Sequence, residues 1–294
     1  MTISVWTWTA RRPLKSGIFI DIKININIST NVLIIAGLPQ IYAKGIIGMK
    51  IIADTHTHTV ASTHAYSTVL ENAQYARDAG LSALAVTDHT PASTDGPHVW
   101  HFHNLHKALP RELLGVKLIF GAESSIIGYD GTIDFPDEEC AALDWIIASI
   151  HRNHLKKASP EEITRLYLGV AENPLVDVIG HCATVGYEFD YEKCLKKFKE
   201  CGKLVEINES SITWKNTTDN YKEIIRLCKK HEVPVVVNSD AHFCTLVGHF
   251  DNALKLLDEQ DFPERLVVNA DMDRLTEFIS AKKGNIFMPP SCGK

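Results

Sequence analysis

Two hydrophobic rhythms alternate along the chain from Met49 onward. The first is a short apolar run with no polar alternation, at Lys50–Ala53, Ala83–Val86, Val116–Ala122, Trp145–Ile150, Val176–Ile179, Leu204–Ile207 and Pro234–Val237. The second is an amphipathic segment such as "STVLENAQYARDAG", "SPEEITRLYLGVAEN", "DYEKCLKKFKECG" or "TDNYKEIIRLCKKHE". Ser67 and Ser159 suit helix N-caps, with Pro160 at a first helical position, and Gly80 and Gly202 suit helix C-termini. Strands without polar alternation imply burial on both faces. Seven of them separated by helices imply a parallel α/β architecture, closed or nearly closed as a barrel. "FPERLVVNADMDRLTEFISAKKG" predicts a last helix from near Asp271. No Pro/Gly/Ser-rich linker and no internal repeat interrupts residues 49–280, so 49–284 reads as one domain, and the tail 285–294, "NIFMPPSCGK", reads as loose.

Residues 1–48 differ from the rest. They hold few acids and many β-branched residues, and from Ile20 to Ile28 every second residue is Ile. A secretory signal needs an uninterrupted apolar stretch of about 7–15 residues, whereas "GIFIDIKININIST" is broken by charge and Asn. Met49 closely precedes the first convincing strand. The extension therefore reads as a poorly ordered tail or as a start placed upstream of the true one.

Composition narrows the class. Of 294 residues, 45% are apolar and 22% charged, which is globular. The net charge of −6 and pI near 6.2 argue against a nucleic-acid partner. No run approaches the roughly 18 apolar residues of a membrane span. Seven cysteines, an odd number with no CxxC, favour free thiols in a reducing cytoplasm.

In a parallel barrel the chemistry collects just after the strands, and that is where the histidines fall. The first run is followed by His56 and His58, two residues apart and so on one side of an extended chain, with His64 beyond. The second ends at His89, the third at Glu123, the fourth at His151, the fifth at His181, the sixth at Asn208, and the seventh at Asp240 and His242. Counting His154, seven of the 14 histidines lie in these short windows. His98, His101, His103, His106, His231 and His249 lie elsewhere and read first as loop or surface residues. Imidazoles with carboxylates suit zinc, manganese or iron. One ion takes about four protein ligands, so this many groups suit two or three ions.

Together "ADTHTHTVASTHAYS", "AVTDHTPASTDGPHVWHF", "GAES…DGTID", "IIASIH", "VIGH", "EINESS" and "NSDAH" resemble the PHP (polymerase and histidinol phosphatase) family, and within it the bacterial YcdX-like phosphatase branch. The resemblance runs from about Met49 to Gly284. It implies a distorted (β/α)7 barrel, TIM-barrel-like, with a trinuclear metal centre at the C-terminal ends of the strands. It implies three Zn2+ per chain, with Mn2+ or Fe2+ as alternatives, and hydrolysis of phosphate esters. Carried over by residue, it implies that His56, His58, Glu123 and Asp240 hold one ion. Glu123 bridges to a second, completed by His151 and His181, and His64, His89 and His242 hold the third. Two positions depart from the branch: Arg152 stands where an acid is usual and Cys182 where proline is usual. Neither removes a ligand, and both bear on the surroundings of the site.

The expected chemistry is attack by a metal-activated water, with no side-chain nucleophile assigned. No G-x-x-x-x-G-K-[ST] or G-x-S-x-G motif supports a nucleotide-hydrolysing or serine-hydrolase route. Asp88 reads as an orienter of His89 or as a strand-end cap. Asn208 and Ser210 read as partners of phosphate or water, or as loop caps. Residues 88–105 read as a loop, since Pro91, Gly96 and Pro97 disfavour a long helix. In that loop His98, Trp100 and His101 are candidates to touch the non-phosphate part of a substrate. The partner expected is a small phosphorylated molecule, with neither nucleic acid nor membrane, and a homo-oligomer remains open. The alternatives are histidinol phosphatase, DNA exonuclease, amidohydrolase (which commonly places a carbamylated Lys where this chain reads "ASIHR") and a non-catalytic metal-binding protein.

Overall fold

A computed structural model describes residues 5–13, 19–27, 48–284 and 286–287. The chain divides into two units between Ile47 and Gly48. In the first, strand β1 (Val5–Pro13) pairs antiparallel with β2 (Phe19–Asn27), from Val5 opposite Asn27 to Pro13 opposite Phe19. The alternating Ile residues have the two-residue period of a strand.

The second unit follows the predicted alternation. Its strands are β3 (Ala53–Asp54), β4 (Ala83–Val86), β5 (Glu112–Leu113), β6 (Val116–Ser125), β7 (Trp145–Ser149), β8 (Val178–Ile179), β9 (Leu204–Asn208) and β10 (Val235–Asn238). All but β5 run parallel in the order β3-β4-β6-β7-β8-β9-β10, each of the seven expected runs supplying one strand, while β5 forms a small antiparallel hairpin with the start of β6. Helices α1 (Val69–Asp78), α2 (Trp100–Ala108), α3 (Asp137–Ala142), α4 (Pro160–Glu172), α5 (Tyr191–Glu200), α6 (Glu209–Trp214), α7 (Thr218–His231), α8 (Asp251–Asp258) and α9 (Met272–Lys283) fall between and after them.

The apolar strands are buried on both faces. Leu84 and Val86 join the large cluster between sheet and helices, whereas their neighbours Ala83 and Ala85 join a second cluster with Ala53, Ile119, Trp145, Ile147, Val178, Leu204 and Val236 inside the barrel. Leu275 and Ile279 of α9 belong to the inner cluster, and Phe278 meets Trp145 edge-on at 5.8 Å. Because Trp145 starts β7, α9 closes the N-terminal end of the barrel and leaves the other end for chemistry.

First and last strands close the ring without a continuous ladder. On the site side Asp240 N donates to His56 O (3.0 Å) and His58 N to Ala241 O (2.9 Å). Lower down, Asn269 fills the gap. Its Oδ1 accepts from Val237 N (3.0 Å), and its Nδ2 donates to Ala53 O (2.8 Å) and Val237 O (2.6 Å). The result is a nearly closed barrel.

Three local expectations need correction. Thr68, not Ser67, caps α1, through a capping box with Glu71, while the Ser67 hydroxyl accepts from Cys244 N at 2.8 Å. Residues 100–108, partly within the expected loop, form α2: Pro97 precedes the helix, where proline breaks nothing, and Phe102 and Leu105 bury its inner face. In the tail, Ile286 and Phe287 pack against the inner cluster; residues 285 and 288–294 lie outside the described residues.

Candidate metal centre

The geometry of the site starts from the strand ends. Asp54, at the end of β3, accepts from Ser239 N (3.1 Å) and Ser239 Oγ (2.5 Å), and Thr55 donates through N and Oγ1 to Asn238 Oδ1 at 3.0 and 2.7 Å. These bonds lock the segment after β3 to the segment after β10. They bring Asp240 Oδ1 to 3.6 Å from His56 Nε2 and 3.2 Å from His58 Nε2, with the two ring nitrogens 3.1 Å apart. Asp240 has φ +55 and His181 φ +22, backbone that L-residues adopt only under compulsion.

Glu123, on β6, lies in the middle. Its Oε2 is 3.4 Å from His56 Nε2, 3.5 Å from His58 Nε2 and 3.2 Å from His89 Nδ1. Its Oε1 is 3.3 Å from His151 Nε2 and 3.1 Å from His181 Nε2. One buried carboxylate thus stands within hydrogen-bonding or ligand reach of five imidazoles. On the other side of His89, the His64 and His242 ring centroids are 4.3 Å apart, and His242 lies 4.3 Å from His58. All nine residues expected as ligands are gathered at this end of the barrel. His154 lies beside His151, with centroids 6.5 Å apart.

Three of the supporting groups were read in advance and now have positions. Asp88 is fully buried, and its carboxylate accepts from Thr59 N, Thr59 Oγ1 and Ser62 Oγ, each at 2.8 Å, with His101 Nε2 at 3.1 Å. It therefore pins the loop that carries His58 to His64. Asn208 spends its amide on Glu206 Oε2 (3.1 Å) and Asp240 Oδ2 (3.2 Å), and its Oδ1 accepts from Ser211 N at the start of α6. It orients a candidate ligand and caps a helix, and being fully buried it does not present its amide to a substrate. Ser210 lines a separate cavity with Glu209 and His249. His98 and Trp100 meet edge to face at the exposed start of α2, ring centroids 5.6 Å apart, and with His101 they stand apart from the residues that line the metal-side cavity. Cys182 is buried, and Arg152 is exposed.

Two residues of the site were not read from the sequence. Glu206, in the middle of β9, binds His56 Nδ1 at 2.7 Å and accepts from His181 N at 2.7 Å and Asn238 Nδ2 at 2.9 Å. The signal was an acid inside a strand buried on both faces, where charge is kept only when paired. Asp95, in the turn after β4, has Oδ2 2.7 Å from His64 Nδ1 and 3.7 Å from His89 Nε2; there the sequence offers only a Gly-containing turn.

The electrostatics are those of a site built for cations. Burial resists charging His56, but Glu206, Glu123 and Asp240 outweigh it and raise its pKa well above the ordinary imidazole value. Burial raises the carboxyls of Glu123 and Asp240, yet the surrounding histidines hold both well below the ordinary range. His58 is lowered by burial and by the charge of His242, and His89 is lowered to about 3, first by burial. Glu123 Oε1, His89 Nδ1, His181 Nδ1 and His242 Nε2 are buried and make no well-aligned hydrogen bond among the described residues. Orphaned buried acceptors of this kind cost free energy, and divalent ions satisfy them. Among the described residues are four ion-sized groups of candidate ligand atoms: His56 with His58 and Asp240, His89 with Glu123 and His151, His58 with His89 and His242, and His64 with His89 and Asp95. The residues present fit a metal centre. Beside it opens a cavity of about 330 Å³ bordered by Asp95, Glu123, His151, Lys215, Asp240 and His242.

Barrel and site together set a histidine–carboxylate cluster at the C-terminal strand ends, the arrangement of a metal-dependent hydrolase. The chain belongs to the PHP domain family, whose model matches residues 54–284, and it is a phosphatase. It is 42% identical over 236 residues to a "Probable phosphatase" of Clostridium novyi (strain NT), covering 80% of this chain and 96% of that protein. It is 42% identical over 239 residues to a "Probable phosphatase" of Acetivibrio thermocellus, covering 81% and 99%. Among solved structures, histidinol phosphate phosphatase of Lactococcus lactis, complexed with zinc, L-histidinol and phosphate, is similar with a TM-score of 0.55 at 18% identity, over 72% of this chain and 94% of that one. That likeness shows the fold. The family match sets the phosphoester reading above the amidohydrolase alternative.

Proposed function

We propose that this phosphatase hydrolyses small phosphate monoesters at a centre of three divalent ions, zinc with manganese or iron(II) as alternatives. The observation that carries the reading is Glu123, a single carboxylate reaching five imidazoles from its two oxygens. In this reading Glu123 would help hold two ions, one with His56, His58 and Asp240 and the other with His151 and His181, and His64, His89 and His242 would hold the third. Such ions supply a water of lowered pKa and a positive field for phosphoryl oxygens. The chain's own residues then have defined tasks. Glu206 fixes the proton of His56 on Nδ1, so that Nε2 faces the centre. Asn208 holds Asp240, and Asp88 holds the loop bearing His58 and His64. Three carboxylates, Asp95, Glu123 and Asp240, border the cavity; they repel a phosphate unless cations offset them, which favours metal over a bare histidine site.

No helix among the described residues is long and apolar enough to cross a membrane. Six described cysteines are unpaired, which supports a cytoplasmic placement. The test combines elemental analysis with activity. Protein purified without chelators should carry close to three ions per chain and hydrolyse p-nitrophenyl phosphate. Glu123→Gln keeps the shape and loses the charge, so it should shed metal and lose at least about a hundredfold in rate, the scale of a lost electrostatic catalyst. A metal content near one, or a Glu123→Gln rate equal to wild type, would sink the trinuclear assignment.

A further inference from the structure

The metal-side cavity does not end at the candidate ligands. A second cavity of about 440 Å³ shares His151, His181 and Lys215 with it and continues to Arg152, Trp214 and Asn216. The two differ in charge. Three carboxylates border the first, whereas none borders the second, which carries two cations. This is a cationic cleft in a chain of net charge −6.

Neither cation has a structural reason to be there. Elsewhere in this chain an arginine with a fold-supporting role is paired: Arg111 makes two bonds to Asp144, at 2.5 and 3.2 Å. The Arg152 guanidinium has no carboxylate partner among the described residues and makes one long bond, 3.4 Å, to Val185 O. The Lys215 ammonium has no hydrogen-bond or ion-pair partner among the described residues. It lines both cavities together with His151, which places it at their junction. Two unpaired cations lining one concave surface repel each other, and the field they focus attracts an anion. Trp214 is 75% exposed and forms part of the wall, offering a flat apolar face to the body of a ligand.

We propose that this cleft binds a second anionic group of the substrate, so that the preferred substrates are phosphate monoesters whose leaving group carries a further carboxylate or phosphate. The proposal rests on the phosphatase reading of the centre and names the class of molecule that centre serves. The reacting phosphate lies among His64, His89, Glu123 and Asp240; the second anion lies between Arg152 and Lys215; Trp214 covers the carbon skeleton. Binding away from the reacting centre sets specificity.

Matched substrates test it with the metal-loaded full chain. Glycerol 3-phosphate and 3-phosphoglycerate differ by a carboxylate; fructose 6-phosphate and fructose 1,6-bisphosphate differ by a phosphate. For at least one pair, kcat/KM should favour the doubly anionic member by about tenfold or more, the scale of a charge-assisted hydrogen bond, and the pair that responds identifies the second anion. Arg152→Ala should bring that ratio close to one through KM, and Arg152→Lys should restore part of it. Titration calorimetry on the same pairs gives a readout that needs no turnover. Preference in binding without hydrolysis of any ester would sink the phosphatase reading and leave the cleft standing. Equal affinity within both pairs, or an equal loss on both members in Arg152→Ala, would overturn the proposal.

Discussion

Glu206 borders neither cavity of the site, yet it ties together much of the site's framework. Its two oxygens bind His56 Nδ1, His181 N, Asn208 Nδ2 and Asn238 Nδ2, so β8, β9 and β10 and the segment after β3 meet on one carboxylate. Glu206→Gln keeps the volume, loses the charge and turns one acceptor into a donor facing the His181 amide. Groups that orient metal-binding histidines are worth about 10–100-fold in affinity. The expected result is a metal affinity lower by that factor, read by competition with a chromophoric chelator, while the unfolding transition stays cooperative. An affinity equal to wild type would show that His56 needs no help in choosing its tautomer. The candidate ligands were legible because each follows an apolar run. The groups that hold them were legible only in part. Asp88 announced itself beside His89, whereas Glu206 is separated from His56 by 150 residues and becomes its neighbour only when the barrel closes.

At the scale of elements, burial at the N-terminal end of the barrel carries a cost that pH can expose. Lys203 directly precedes β9 and is 1% exposed. Its ammonium donates to the carbonyls of Asn173 and Val176, the latter at 2.7 Å, while Lys282 of α9 reaches Asp177 Oδ1 at 2.9 Å nearby. Burial, and then the charge of Lys282, push the Lys203 pKa down to about 8. In an unfolded chain it sits near about 10.4. Between those values the unfolded chain binds more protons than the folded one, so raising the pH favours folding. The contribution is present above the unfolded value and is lost as pH falls through about 8. Lys203→Met has no such proton. The stability of wild type relative to Lys203→Met, from urea midpoints, should therefore grow between about pH 7.5 and pH 10. A difference flat across that range would mean that Lys203 keeps its proton in the folded chain. Elements with a strong period were legible throughout. Those set by tertiary contact were not: α2 rests on Phe102 and Leu105 finding the core, and β3 keeps only Ala53 of its predicted run and adds Asp54, because its neighbour across the seam offers Asn269 instead of a ladder.

At the scale of the whole molecule the barrel was legible because seven apolar runs have few ways to be buried on both faces, but its seam was not. Asn269 lies in a stretch with no hydrophobic period, and nothing in the chain marks it as the residue that bridges Ala53 to Val237. The division of the molecule raises the remaining question, which is what the first 47 residues contribute. Every candidate ligand, both core clusters and the closing helix α9 lie in the unit from Gly48 onward. The family match begins at residue 54, and relatives matched over 96% and 99% of their own length correspond to 80% and 81% of this chain. Tolerance to truncation follows the burial and hydrogen bonding of what is removed. The antiparallel pair β1–β2 has its recorded ladder within its own unit. A chain begun at Met49 should therefore keep its metal content, its urea midpoint and its kcat/KM on p-nitrophenyl phosphate, each to within about a factor of two. Loss of solubility alone would assign the hairpin a surface to cover. Loss of metal or of rate in a soluble, cooperatively unfolding protein would make the first unit part of the working enzyme, and the boundary at Met49 would be wrong.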